Sequence, residues 1–204
     1  MEGILTGKEW PLLHRFRAFF NQPPPGYSPG AALRHVLKEL GGDFVCTRVE
    51  TTGAQLKAIA SHLPCLVTER VERHFLMHIV AHEFRFNVPG AALPGAEIDV
   101  RNTGLLFRKG IACSVPAKLK TALKTVTDRI EGDEPLRAIL MKLDFRSCRV
   151  RGSEEGWSVC LEPYGASEVV NRKPSFRRYI RLTPEQSGLV AGTIGEFTRI
   201  LGTI

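Results

Sequence analysis

Apolar positions fall three or four residues apart in some segments of the chain and two apart in others, and this change of period separates predicted helices from predicted strands. Trp10, Leu13, Phe16 and Phe20 predict a short amphipathic helix within residues 1–22, and Pro23, Pro24 and Pro25 begin an extended spacer behind it. Residues 28–204 read as one domain. Its first helix takes Ser28 as cap and Pro29 as first-turn proline, with Leu33, Val36, Leu37 and Leu40 on the apolar stripe. "FVCTRV" (44–49) predicts a strand, and "AQLKAIASHL" (54–63) a further helix through Leu56, Ile59 and Leu63.

No glycine or proline interrupts the chain between Pro64 and Pro89. Val67, Val71, Phe75 and Ile79 recur every four residues, as in a helix, whereas Phe84, Phe86 and Val88 alternate, as in a strand. The pattern leaves residues 66–82 open between the two and makes the second half a strand. Ile98 and Val100, an Asn-Thr-Gly turn at 102–104, and Leu105 and Phe107 predict an antiparallel hairpin. A helix over 117–130 carries Leu119, Leu123, Val126 and Ile130, and "EPLRAIL" adds a turn or short helix. Three strands follow, "KLDFRSCRV", "WSVCLEP" and "SFRRYIRL", the last two joined by the longer loop "YGASEVVNRKP". Thr183, Pro184 and Gln186 then open a final helix with Val190, Ile194, Phe197 and Leu201 on its stripe. Strands followed by a helix thus occur twice. The order implies an α+β fold, with an antiparallel sheet of about six strands packed against helices.

Composition narrows the class. With 43% apolar and 24% charged residues the chain is an ordinary globular one. It has no run of roughly 18 apolar residues that could span a membrane, which with the missing signal-peptide layout predicts a cytoplasmic protein. Five widely scattered cysteines predict reduced, structural thiols. The net charge of +7 favours anionic partners.

The stretch 167–182 carries the sharpest candidate. On a strand, Arg172, Phe176, Arg178, Ile180 and Leu182 share one face, and Lys173, Ser175, Arg177, Tyr179 and Arg181 the other. Arg178, set between apolar neighbours, needs a partner if that face is buried: Glu162 of a neighbouring strand, a backbone carbonyl, or an anionic ligand. The opposite face, basic and aromatic, suits a nucleic-acid backbone. His74, His78 and His82, four residues apart, could share a metal on a helix but would lie about 13 Å apart in succession on a strand. Asp99, Asp144 and Glu162 on predicted strands read as partners for the arginines.

Through Ser167, Glu168, Val170, Asn171, Arg172, Pro174, Arg177, Arg178 and Tyr179, the last two-thirds of the chain resembles an uncharacterised bacterial family grouped as a domain of unknown function. The resemblance implies a bacterial origin and no activity. The residues themselves favour a non-enzymatic module that binds a small anionic or amphipathic ligand, or a protein partner. Arg178 and Arg172 are its anchors, with Tyr179, Arg177 and Arg181 beside them, and no cofactor is called for. Two alternatives stay open: a nucleic-acid-associated protein using the basic surface, and a metal-dependent enzyme on His74, His78 and His82. The proline spacer is long enough for a swapped homodimer.

Overall fold

Alternating burial runs through far more of the chain than the local helix signals suggest, and it assembles ten strands into one antiparallel sheet. The computed structural model describes residues 23–104 and 109–203; the helix expected within residues 1–22, and Leu105 and Phe107 of the hairpin, lie outside the described residues. In chain order the elements are α1 (Ala31–Glu39), β1 (Phe44–Val49), β2 (Gly53–Ala58), β3 (Pro64–Arg73), β4 (Met77–Val88), β5 (Glu97–Thr103) and β6 (Gly110–Ser114). A 3-10 turn (Ala117–Leu119), α2 (Lys124–Gly132), α3 (Glu134–Lys142), β7 (Phe145–Ser153), β8 (Gly156–Pro163), β9 (Ser167–Arg172), β10 (Ser175–Ile180) and α4 (Pro184–Leu201) complete it. The class is α+β with an antiparallel sheet, and the strands exceed the expected six.

Four segments differ from what the local pattern predicts or leaves open. Residues 54–63 form no helix. Ala54, Leu56 and Ala58 turn inward on β2 between β1 and β3, and Ile59, the middle of the expected stripe, is exposed. Residues 66–82 are two strands, β3 and β4, paired across a turn at His74–Leu76; Phe75 lies in that turn and not on a helical face. The expected loop before the last strand contains β9, which pairs with both β4 and β10. The helix expected from 117 starts as a 3-10 turn, and the α-helix begins only at Lys124.

The strand order is β1-β2-β3-β4-β8-β7-β5-β6, and the sheet forks at β4. The first half of β4, Met77–Val80, pairs with β9, and the second half, Phe84–Val88, with β8. β8 and β9 are one run of chain interrupted at Tyr164, Gly165 and Ala166. Ala166 has a left-handed φ of 61°, costly for a residue with a Cβ. Its carbonyl accepts a hydrogen bond at 2.5 Å from His82 Nδ1, which places a proton on that nitrogen, because a carbonyl cannot donate.

One face of the sheet carries the core. Val67, Phe84, Leu161, Cys148 and Ile98 point into a single cluster with Leu33 of α1, Ile130 of α2, Leu140 of α3 and Phe197 of α4. The helices cover this face, and the residues alternating with these point to the opposite, open face.

Two glutamates tie α1 to the sheet. Gly30, at φ 75°, precedes the helix without a side-chain cap of its own, and a Cβ there would meet the Thr51 carbonyl oxygen at 2.1 Å. The cap comes from β3: the amides of Gly30 and Leu33 each donate to the Glu69 carboxylate at 2.9 Å, and the Tyr27 hydroxyl donates at 3.0 Å. At the other end Glu39, an acid in an unfavourable last-turn position, accepts from the Tyr179 hydroxyl, Arg181 Nε and the Leu182 amide at 2.8–3.1 Å.

Burial alone would push the Glu69 carboxyl up, but His82 and the three donors around it hold it below its ordinary value of 4.5. The His82 share is through-space, since its Nε2 lies 3.7 Å from Glu69 Oε1, beyond hydrogen-bond reach. A depressed carboxylate stabilises the fold above its unfolded value and loses that contribution as pH falls through the folded one. Glu69→Ala is expected to cost about 2–4 kcal/mol in urea unfolding at pH 7, because two helix amides and a hydroxyl lose their acceptor. The gap between variant and wild type should narrow below pH 4.5; a gap under about 0.5 kcal/mol at pH 7 would show that water replaces the cap.

Candidate ligand site on the open face of the sheet

Strand alternation decides which charges meet on the open face. On β8, Val159 and Leu161 face the core, so Cys160 and Glu162 face away; Glu162 is paired with Ser147 on β7 and lies beside Glu83 on β4. On β3, Arg70 and Glu72 alternate with the inward Val67 and Glu69, and Asp99 and Arg101 of β5 alternate with the inward Ile98 and Val100. A cavity of about 570 Å³ opens among these residues, lined by Arg70, Arg101, Arg146 and Arg149 against two carboxylates, Asp99 and Glu162. Its formal charge is therefore positive.

Glu162 forms the floor, with 1% of its surface exposed. Its oxygens lie 3.2 Å from Arg146 and 3.7 Å from Arg70, but neither takes part in a hydrogen bond. The same two arginines donate to Glu72, Arg70 at 2.5 Å and Arg146 in a further short contact. Identical partners give opposite outcomes. For Glu72 burial is outweighed by these hydrogen bonds and the carboxyl is held below its ordinary value. For Glu162 burial prevails over the charges of Arg70 and Arg146, with Glu72 and Glu83 adding repulsion, and the carboxyl is pushed up. Charge contact without hydrogen-bond geometry does not replace a lost hydration shell.

Arg149 donates to Glu83 at 3.3 Å through one amino group, and its Nε is buried without a partner. Asn102 Oδ1 is in the same condition. Unsatisfied buried polar atoms are infrequent in folded proteins, and three of them, the two Glu162 oxygens and Arg149 Nε, belong to outward-facing residues lining this one cavity, while Asn102 lies on the inward parity of β5. The arrangement can offer guanidinium donors to an anion, and two acceptors to hydroxyl or amino groups on the same molecule.

The positions singled out from the sequence are elsewhere. Arg178 is exposed, as are Phe176 and Ile180, so the face expected to be buried is the open one. The inward parity is that of Arg177 and Tyr179, and the strand ends at Ile180, so the burial of Leu182 does not extend back along β10. Arg177 donates to the Gly26 carbonyl and meets Glu168 at 3.3 Å, while Tyr179 and Arg181 are held by Glu39. On the expected outward basic face Tyr179 is thus half-buried against α1, while Lys173, Arg177 and Arg181 stay exposed. Arg172 is half-buried, with its Nε unpartnered. Glu162 serves Arg70 and Arg146, and Asp99 pairs with Arg101.

His74 lies in the exposed turn, and His78 and His82 are buried on β4, one every four residues of a strand and not of a helix. Among the described residues no three His, Cys, Asp or Glu side chains converge as a metal would require. Burial and the nearby charges of Arg172, Arg177 and Arg73 hold His78 below its ordinary value, so it stays neutral at pH 7.

Sequence reasoning named Glu162 only as a partner for arginine and missed Arg70, Arg101, Arg146 and Arg149. The available signal was an acid in the fully apolar run "VCLEP", flanked in the chain by strands with an arginine at every second or third position.

No curated protein and no solved structure matches the chain. A family model described as "Protein of unknown function (DUF3156)" matches residues 37–201, from the last turn of α1 to the end of α4 and further toward the N-terminus than the resemblance carried by the last two-thirds. The chain belongs to the DUF3156 family.

Proposed function

We propose that this protein is a non-enzymatic binding module for a small anionic ligand, held on the open face of the sheet. The anion sits among Arg70, Arg101, Arg146 and Arg149, and its hydroxyl or amino groups donate to the two oxygens of Glu162. The observation that carries this reading is the convergence of three buried, unpartnered polar atoms, the two Glu162 oxygens and Arg149 Nε, on one positive cavity. A volume of about 570 Å³ suits a metabolite-sized molecule. The ligand classes that meet both demands are sugar phosphates and hydroxy acids. Arg178 and Arg172, the anchors expected from the sequence, do not line the cavity.

A thermal-shift screen of inorganic phosphate, sugar phosphates, hydroxy acids and sugar sulfates tests the reading, followed by calorimetry on the compounds that raise Tm. Arg149→Ala is expected to weaken binding about tenfold or more, since a charge-assisted hydrogen bond is lost. Arg149→Lys should recover only part, because an ammonium lacks the planar fork. Arg178→Ala should bind as wild type does. A screen in which nothing raises Tm, or an Arg149→Ala variant with unchanged affinity, overturns the assignment.

Protonation of Glu162 removes a negative charge from beneath the anion while the arginines stay charged. Affinity for a sugar sulfate, whose own charge is constant, should therefore rise as pH is lowered through the raised Glu162 value, and Glu162→Gln should flatten that dependence. The sign for stability is the same. A carboxyl raised in the fold contributes most below its ordinary value of 4.5 and loses that contribution as pH rises. Relative to wild type, Glu162→Gln should become steadily more stable as urea unfolding is repeated from pH 4.5 to pH 8. A stability difference that does not change with pH would show that the carboxyl is not raised.

A further inference from the structure

The most exposed large apolar side chain among the described residues is Phe75, at 92%, in the turn between β3 and β4. A phenyl ring left in water at the tip of a hairpin adds nothing to the core. Its surroundings give it a use. The Arg172 amide donates to the Leu76 carbonyl at 2.8 Å, which sets the turn between β9 and β10 directly beside the first. Two hairpin tips therefore project together at one end of the sheet. Between them they present Phe75, Leu76 at 44% and Phe176 at 47% exposure.

The charge around this apolar tip has one sign. Residues 73–77 and 171–178 contain Arg73, Arg172, Lys173, Arg177 and Arg178 and no acid. The flanking acids are engaged, Glu72 with Arg70 and Arg146 and Glu168 with Arg177. Lys173 and Arg178 are exposed.

We propose that the paired tips dock on an anionic membrane surface. Phe75 and Leu76 enter the interface, Phe176 lies at headgroup level, and Lys173 and Arg178 face the lipid phosphates. A convex tip with an aliphatic as well as an aromatic group fits the acyl boundary of a bilayer. Nucleic-acid recognition would use bases stacking on a flat or concave platform, to which Leu76 contributes nothing. No helix among the described residues is long and apolar enough to cross a membrane, so the contact is peripheral. This surface is separate from the arginine-lined cavity and does not depend on its occupant.

The test is co-sedimentation of the full chain with vesicles of phosphatidylcholine alone, and with roughly 30% phosphatidylglycerol. Binding is expected to the anionic vesicles, to weaken as salt is raised, and to be far weaker with phosphatidylcholine alone. Phe75→Ser should lower the partition coefficient about tenfold, the size of burying a phenyl ring, without altering the urea midpoint. Lys173→Glu and Arg178→Glu should each lower it about fivefold or more. Absence of binding to anionic vesicles, equal binding to both vesicle types, or undiminished binding by Phe75→Ser would each overturn the proposal. So would retention of single-stranded oligonucleotides at salt that releases the vesicles, unaffected by Phe75→Ser, which would mark the same end as a nucleic-acid surface.

Discussion

One buried hydrogen bond, from His82 Nδ1 to the carbonyl of Ala166, holds the place where β4 changes neighbours. Upstream of it β4 is paired with β9 and downstream with β8, and the two registers differ by the residues at 164–166 that belong to neither strand. Ala166 adopts a left-handed φ that costs on the order of 1 kcal/mol, and the bond to a buried imidazole offsets this. Without the fork, β9 would continue β8 and β10 would compete with β7 for the same edge. With it, β10 and its turn stand clear at one end of β4, while β8, β7 and β5 extend the sheet from its other end on the same side. The basic hairpins and the arginine-lined cavity are separated by this one displacement of register.

The same imidazole reaches into the packing of α1. Its Nε2 faces Glu69, the carboxylate that caps the helix, so the helix start, the sheet and the fork share one buried polar group. The Glu69 carboxylate accepts from three donors, and the carboxyl is held down although His82 Nε2 beside it makes no hydrogen bond. Glu162, a strand away on the other face, has two arginines near but no hydrogen bond, and its carboxyl is pushed up. The contrast separates a structural carboxylate from one available to a ligand. A group that the fold needs is fully bonded within it; a buried group left with free lone pairs is a cost that the fold carries for another reason.

The C-terminal helix and several strands were readable in the sequence because their information is local. The Thr183 cap on the Gln186 amide, Pro184 in the first turn and the stripe through Phe197 appear in the structure, as do the strands over 97–101, 145–150 and 157–163. The middle was not readable in the same way. β2 is held by pairing with β1 and β3, and its inward residues, Ala54, Leu56 and Ala58, are mostly too small to signal alternation against the spacing of Leu56, Ile59 and Leu63. The turn at His74–Leu76 contains no glycine, proline or asparagine, so nothing local marks where β3 stops. The cavity was hidden for a related reason. Arg70, Glu162, Arg146 and Arg101 come from four strands whose order is set by long-range pairing, and no window of sequence contains two of those strands side by side except β7 and β8.

Arg178 shows how a correct anomaly can lead to the wrong face. Its place between Phe176 and Ile180 is unusual, and alternation alone assigns the apolar pair to the core. What decides the parity is Tyr179, whose hydroxyl reaches Glu39 and whose ring lies 5.2 Å from His35, so the helix side of β10 is chosen by a polar contact and not by hydrophobicity. Phe176, Arg178 and Ile180 are turned to the open face as a result. There Arg178 stands opposite Val169, Val169 opposite Ile79, and Ile79 opposite Glu72, which is bonded to Arg146 in the wall of the cavity. Cations reach from β10 to β5 across a single face whose carboxylates are bonded one by one to neighbouring arginines, with Glu162 the buried exception. A sheet built this way excludes other greasy surfaces by its charge and still leaves, at its one unsatisfied carboxylate, a polar site that a small anion bearing hydroxyl groups would complete.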